Sequence, residues 1–108
     1  MNLREARSGE VVVLAISGRL DGFSAPELED HINRLLSGNV KRIVFDCSGM
    51  GYISSAGLRV FLAAAKQLQG RGGRCGFAAL SPEVRNIFQL ANFLELFEVR
   101  ETIADACL

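Results

Sequence analysis

The sequence predicts an α/β domain built on one small sheet of four to five strands. Three observations point there. Short β-branched runs alternate with stretches whose apolar residues recur at helical spacing. Gly, Ser or Pro punctuates these stretches where a helix or strand has to start or stop. Most connections between the strands are helix-sized, which makes the strands they join parallel neighbours.

Taken in order, Val11-Val12-Val13-Leu14-Ala15-Ile16 is closed by Ser17-Gly18 and reads as a buried strand. Residues 3–7 are expected to pair with it through a turn at Ser8-Gly9. Residues 19–23 read as a loop that leads to Ser24, the expected N-cap of a first helix. Pro26 fits near that helix start, where its missing N–H is not needed. Leu28, Ile32, Leu35 and Leu36 then recur at helical spacing until Gly38. Arg42-Ile43-Val44-Phe45-Asp46 is a second buried strand with an acid at its C-terminal end. Residues 47–54, rich in small side chains, read as a loop.

From Ser55 the pattern is helical again, with Leu58, Phe61, Leu62, Ala65 and Leu68 on one face, and Gly70 to Gly73 ends it. Residues 74–80 are a third main strand. Ser81-Pro82-Glu83 supplies an N-cap, an N1 proline and a first-turn acid. Val84, Ile87, Phe88 and Ala91 follow as a third helix. Residues 97–99 are expected as a last short strand and 102–106 as a short terminal helix. No internal repeat or linker interrupts the series, so residues 1–108 are read as one domain.

A chain of 108 residues can bury enough surface to fold without metal or disulfide staples. Twelve basic and twelve acidic side chains cancel, so no net charge draws the chain to nucleic acid or an anionic membrane. The three cysteines, Cys47, Cys75 and Cys107, are scattered and odd in number, which describes a reducing compartment rather than a disulfide framework. The first six residues are polar and charged, so no signal peptide is expected there. The longest apolar run, residues 11–16, is too short to span a bilayer. A cytoplasmic protein is expected.

Enzyme chemistry is largely missing. The lone histidine, His31, lies within the first helix and reads as a surface or boundary residue; with no second histidine and no cysteine cluster, no metal site is expected. No nucleophile–base motif or phosphate-binding glycine fingerprint can be nominated. Gly70-Arg71-Gly72-Gly73 follows a helix instead of opening one, and reads as a stop and turn. Asp21 and Asp46 fall near strand or loop ends. They are either a carboxylate pair at one sheet edge or two ordinary capping residues, the second being the commoner case. No cofactor is implied.

The informative stretch runs from Asp46 to Arg59: strand, small-residue loop, helix start. Ser54 or Ser55 caps that helix, and Ala56 and Gly57 occupy its first turn. Glycine is a poor helix former, by about 1 kcal/mol against alanine, so its use there implies a close approach to the backbone. A phosphate on a serine at this place meets unpaired N–H groups and the favourable end of the helix dipole. It also adds about −1.5 to −2 charges to the surface. The plainer alternative is that both serines only cap the helix.

This segment resembles the signature of the STAS family, whose small bacterial members are anti-sigma factor antagonists. The family pattern is a strand ending D-x-S, a short loop, an aromatic–apolar pair and a helix start D-S-[SA]-G-L. The matching residues here are Asp46, Ser48, Tyr52, Ile53, Ser55, Ala56, Gly57 and Leu58. Gly18-Arg19-Leu20-Asp21 is similar to the family's G-x-[LI]-D, and Ala79 to Val84 to its next strand-then-helix stretch. The resemblance implies a STAS-like domain with a mixed sheet and helices mainly on one face.

The resemblance also implies a phosphorylation-controlled interaction switch, not an enzyme, that binds a GHKL-type anti-sigma serine kinase, frees a sigma factor, and is reset by a phosphatase. Ser55 falls on the phosphoacceptor and Asp21 on the loop aspartate beside it. The partner interface is expected to include Asp21, Gly22, Phe23, Ser24, Ala56, Gly57 and Arg59. One position departs from the pattern: the family usually has Asp before the acceptor, and here Ser54 stands there, a second candidate acceptor. Phe23 is read either as a partner anchor or as a contact tucked under the first helix. Two other functions are compatible with the residues. One is a STAS subunit docking on a transporter ATPase of the lipid-transport type. The other is a small-ligand or nucleotide sensor at Asp21, Asp46 and the helix start.

Overall fold

The computed structural model describes residues 1–108. Ten elements follow in chain order: β1 (Asn2–Ser8), β2 (Val11–Leu20), α1 (Ala25–Leu36), β3 (Arg42–Ile53), α2 (Ser55–Gly70), β4 (Arg74–Ala78), α3 (Pro82–Leu90), α4 (Phe93–Leu96), β5 (Glu98–Arg100) and α5 (Ile103–Ala106). The five strands lie in the sheet in sequence order. β1 and β2 form an antiparallel hairpin around Gly9 and Glu10, and every other neighbouring pair is parallel. Parallel neighbours joined by right-handed crossovers put each crossover helix on the same side of the sheet. The mixed sheet with helices mainly on one face is thus what the connection lengths require.

Alternation along the strands builds the core. Val12, Leu14 and Ile16 of β2, Ile43, Phe45 and Cys47 of β3, and Cys75 and Phe77 of β4 face the helices and are buried. Leu28 and Ile32 of α1, Phe61 and Leu68 of α2, and Val84 and Phe88 of α3 close over them. Phe77 is the hub of the aromatic packing, with ring centroids 5.2 Å from Phe45, 4.9 Å from Phe61, 5.2 Å from Phe88 and 5.1 Å from Phe97. The reverse face carries a small separate cluster, Val44, Ala78 and Ala106, covered by α5. Arg71, just past α2, donates to the carbonyl of Leu36, the last residue of α1, and to those of Gly38 and Val40 in the segment that follows, tying this connection to the end of α2. No helix is long and apolar enough to cross a membrane.

The structure corrects several sequence-based boundaries. Residues 47–53, expected as loop, continue β3, and residues 19 and 20 continue β2. The small residues there serve close strand approach: a Cβ on Gly49 would stand 2.7 Å from Cβ of Ser17, its ladder partner. Two register shifts, between Ala15 and Ser17 and between Gly18 and Arg19, hide the period-2 pattern. β4 stops at Ala78, two residues early, because Ala79 takes φ 59°. On α2 the buried stripe is Gly57, Val60, Phe61, Ala64 and Leu68; Leu58, Leu62 and Ala65 are only half-buried. The short helix α4 was not expected; it follows Asn92, whose φ of 63° turns the chain.

Phe77 touches four other phenyl rings, so truncating it leaves a cavity that rigid strands cannot collapse. Phe77→Ala is expected to lower unfolding free energy by about 3–5 kcal/mol, measured as a lowered urea midpoint at unchanged slope.

Candidate functional site

The site is assembled where β2 and β3 end together. Their register sets Leu20 beside Ile53 and Arg19 beside Tyr52. The Ser54 N–H then donates to the Leu20 carbonyl at 2.8 Å, tying the start of α2 to the end of β2. Ser54 is extended (φ −99°, ψ 174°), and its hydroxyl accepts from the Gly57 N–H at 3.4 Å, so Ser54 is the N-cap. Ser55 is the first helical residue and is exposed. The two serines therefore differ: one hydroxyl is turned into the helix, and the other residue faces solvent.

Gly57 is buried, and what approaches it comes from inside. A Cβ there would lie 2.7 Å from Leu20 Cγ and 2.9 Å from Ile53 Cγ1. The glycine lets α2 seat directly on the strand ends, so Gly57 is a packing residue rather than a surface one. Ala56 is half-buried against the core, and Arg59, one turn beyond Ser55, is exposed. Of the five helices, α2 alone has no acid in its first turn; Glu27, Glu83, Glu95 and Asp105 occupy those of α1, α3, α4 and α5.

The loop from Asp21 to Ser24 is held by reciprocal bonds. Oδ1 of Asp21 accepts from the N–H of Phe23 at 3.0 Å and of Ser24 at 3.2 Å. The Ser24 hydroxyl accepts from the Asp21 N–H at 2.9 Å and donates to the Arg19 carbonyl at 2.8 Å. Ser24 occupies the N-cap position of α1, but its hydroxyl makes no cap bond and reaches back instead. The arrangement is that of a capping box one turn early, with Asp21 as the cap. The D-x-x-S spacing signals it in the sequence. The Ser24 N–H is the foremost cause holding the Asp21 carboxyl below the ordinary aspartate range. Partial desolvation opposes it; the Phe23 N–H, the Ser24 hydroxyl and Arg19 add to it.

Gly22 and Phe23 are exposed, Phe23 at 98 %. The ring does not tuck under α1, which corrects that alternative; the Asp21 bonds to the loop backbone turn the residue outward. Two residues that the sequence reading quoted in its motifs but left out of the expected interface complete the cluster. Arg19 stacks 4.1 Å over the Tyr52 ring, and its Nε lies 3.8 Å from Asp21 Oδ2.

Asp46 does not join this cluster. It lies opposite Ala15, six residues before Asp21, on the order of 20 Å along the strands, and its Oδ1 accepts from the Ser48 N–H. The two aspartates each hold their own turn, and the ligand constellation that needed both is not formed. His31 is half-buried, with Nε2 2.9 Å from Glu5 Oε1 across on β1. Burial raises the Cys47 thiol pKa and pushes that of Cys75 up to about 12, so both stay protonated and unreactive at neutral pH.

A carboxyl whose folded pKa is depressed contributes stability that is present above its unfolded pKa and lost as pH falls through the folded one. Asp21→Asn keeps an acceptor but removes the charge. The gap in urea midpoint between the native chain and this variant is expected to hold steady from neutral pH downward and to close below about pH 4.

A family model described as the STAS domain matches residues 3–106. The chain is 34% identical over 109 residues to BtrV of Bordetella bronchiseptica, named as an anti-sigma factor antagonist, across 98% of this chain and 94% of BtrV. It is 30% identical over 96 residues to RsfB of Mycobacterium tuberculosis, named as an anti-sigma-F factor antagonist, across 89% of this chain and 78% of RsfB. Its fold is similar to the crystal structure of an anti-sigma factor antagonist from Mycobacterium paratuberculosis. The TM-score is 0.90 at 26% identity, over 98% of this chain and 90% of that one. With its sheet order, its serine-capped α2 and these relatives, the chain belongs to the STAS domain family, beside the anti-sigma factor antagonists.

Proposed function

We propose that the chain is a cytoplasmic anti-sigma factor antagonist whose grip on its partner is controlled by phosphorylation of Ser55. The observation that carries this reading is the division of labour between the two serines. Ser54 already spends its hydroxyl on the Gly57 N–H, while Ser55 is exposed at the first position of the same helix. A GHKL-type kinase delivers the γ-phosphoryl group of ATP to the Ser55 oxygen, with loss of its proton and departure of ADP. A phosphatase hydrolyses the ester and resets the surface.

The charge of the phosphate suits both the helix and the switch. α2 brings an uncompensated dipole end to Ser55, with no first-turn acid to repel a dianion and Arg59 one turn away. Within the chain the helix end and Arg59 therefore favour the modification, and Asp21 in the same surface opposes it only in part. Within a closed interface the same charge, deprived of water and lacking a partner, is costly. The contact surface in this reading consists of Ser55, Asp21, Gly22, Phe23, Ser24, Ala56 and Arg59, with Gly57 acting beneath it. Release needs no backbone rearrangement, because the charge sits in the contact.

A second reading rests on Ser54, which stands where the family pattern has Asp: a STAS subunit that docks on a transporter ATPase without phosphorylation. Intact mass after incubation with ATP and a GHKL-type anti-sigma kinase from the same organism separates the two. One added phosphate that survives in Ser54→Ala and vanishes in Ser55→Ala supports the switch. No phosphate, with binding to a transporter ATPase instead, overturns it. The phosphorylated chain is expected to melt about 2–4 °C higher than the unmodified one, from about 0.5–1 kcal/mol of helix-dipole stabilisation. Differential scanning calorimetry checks this.

A further inference from the structure

Phe23 is the most exposed large apolar side chain in the molecule, at 98 %. Its backbone is not loose. The Asp21 carboxylate takes the N–H groups of Phe23 and Ser24, and the Ser24 hydroxyl closes the turn onto Asp21 and Arg19. A ring held outward on a pinned turn meets a partner with little ordering left to do. The other oxygen of the same carboxylate lies 3.8 Å from Arg19 Nε, beyond hydrogen-bond range, so the guanidinium keeps its donors. That guanidinium lies over Tyr52, and its side chain is 67% exposed. A planar guanidinium steadied on an aromatic ring presents a fork that matches a carboxylate.

Phe23 and Arg19 are thus two different recognition groups fixed around one anchor, Asp21. We propose that they form a knob and a fork: Phe23 enters an apolar hollow on the anti-sigma factor, and Arg19 pairs with a carboxylate on the rim of that hollow. This rests on the antagonist reading and names the chemistry of its partner. A projecting ring calls for a concave protein surface. One arginine between Asp21 and the Tyr52 ring can meet a single carboxylate, but it is not the cluster of cations that an anionic membrane or nucleic acid requires. Arg19 also sets specificity, since a partner with a cation at that rim is repelled.

The test is calorimetric titration of the unphosphorylated chain into an anti-sigma factor from the same organism, at about 50 and about 500 mM salt. Phe23→Ala is expected to bind about 30-fold more weakly at both salts. Arg19→Glu is expected to bind about tenfold more weakly than Arg19→Ala at low salt, with the gap narrowing at high salt. Thermal melts of all three variants within a few degrees of the native chain show that the losses are not unfolding, given the exposure of both side chains. Binding by Phe23→Ala and Arg19→Glu within twofold of the native chain overturns the proposal. So does tighter binding by Arg19→Glu than by Arg19→Ala, which would place a cation at the rim. A native chain that fails to bind the anti-sigma factor at all overturns the antagonist reading itself, and the knob and fork with it.

Discussion

The parallel pairing of β2 with β3 over their whole lengths is the constraint from which the site follows. It continues past Asp46, through two register shifts, until Leu20 and Ile53 lie side by side. Because the strands end together, the helices that follow them start together. The Ser54 N–H bonds to the Leu20 carbonyl, and Gly57 rests on the side chains of Leu20 and Ile53. A larger residue at 57 would lift α2 off the sheet, and a larger residue at 49 would part the strands. The exposed position of Ser55 is thus determined by buried contacts on either side of it.

Asp21 does for the neighbouring loop what Ser54 does for α2. One carboxylate oxygen holds two backbone N–H groups, and the other faces Arg19. The loop is rigid without regular structure, and its outward residues are held without being packed. Charge on such a surface can change without demanding that the backbone move. This differs from switches that act by ordering or melting a segment.

Most of the architecture was legible in the sequence. The β-branched run at residues 11–16, the Ser81-Pro82-Glu83 helix start and the Leu28/Ile32/Leu35 stripe correspond to β2, α3 and α1. What escaped has physical reasons. The continuation of β3 beyond Asp46 carries Ser48, Gly49 and Gly51, which read as loop residues; Gly49 is needed for close approach to Ser17, and bulges erase the alternation. The inward role of Gly57 was masked because a first-turn glycine signals close contact without saying from which side. Phe23 was ambiguous for a similar reason: an aromatic residue in a loop is usually tucked in, and only the Asp21 bonds decide otherwise. The Arg19–Tyr52 stack depends on cross-strand register, which local pattern does not carry.

Size gives the exposed site one more property. A specific protein contact covers roughly 800 Å² on each side, about an eighth of the 5976 Å² surface of this chain. Ser55 and the Phe23 loop fit within a single footprint of that kind. Any two proteins that must each touch Ser55 exclude one another, so they take turns and never assemble around the chain together. In the proposed switch, the residence time of one occupant sets how soon the next can reach the serine.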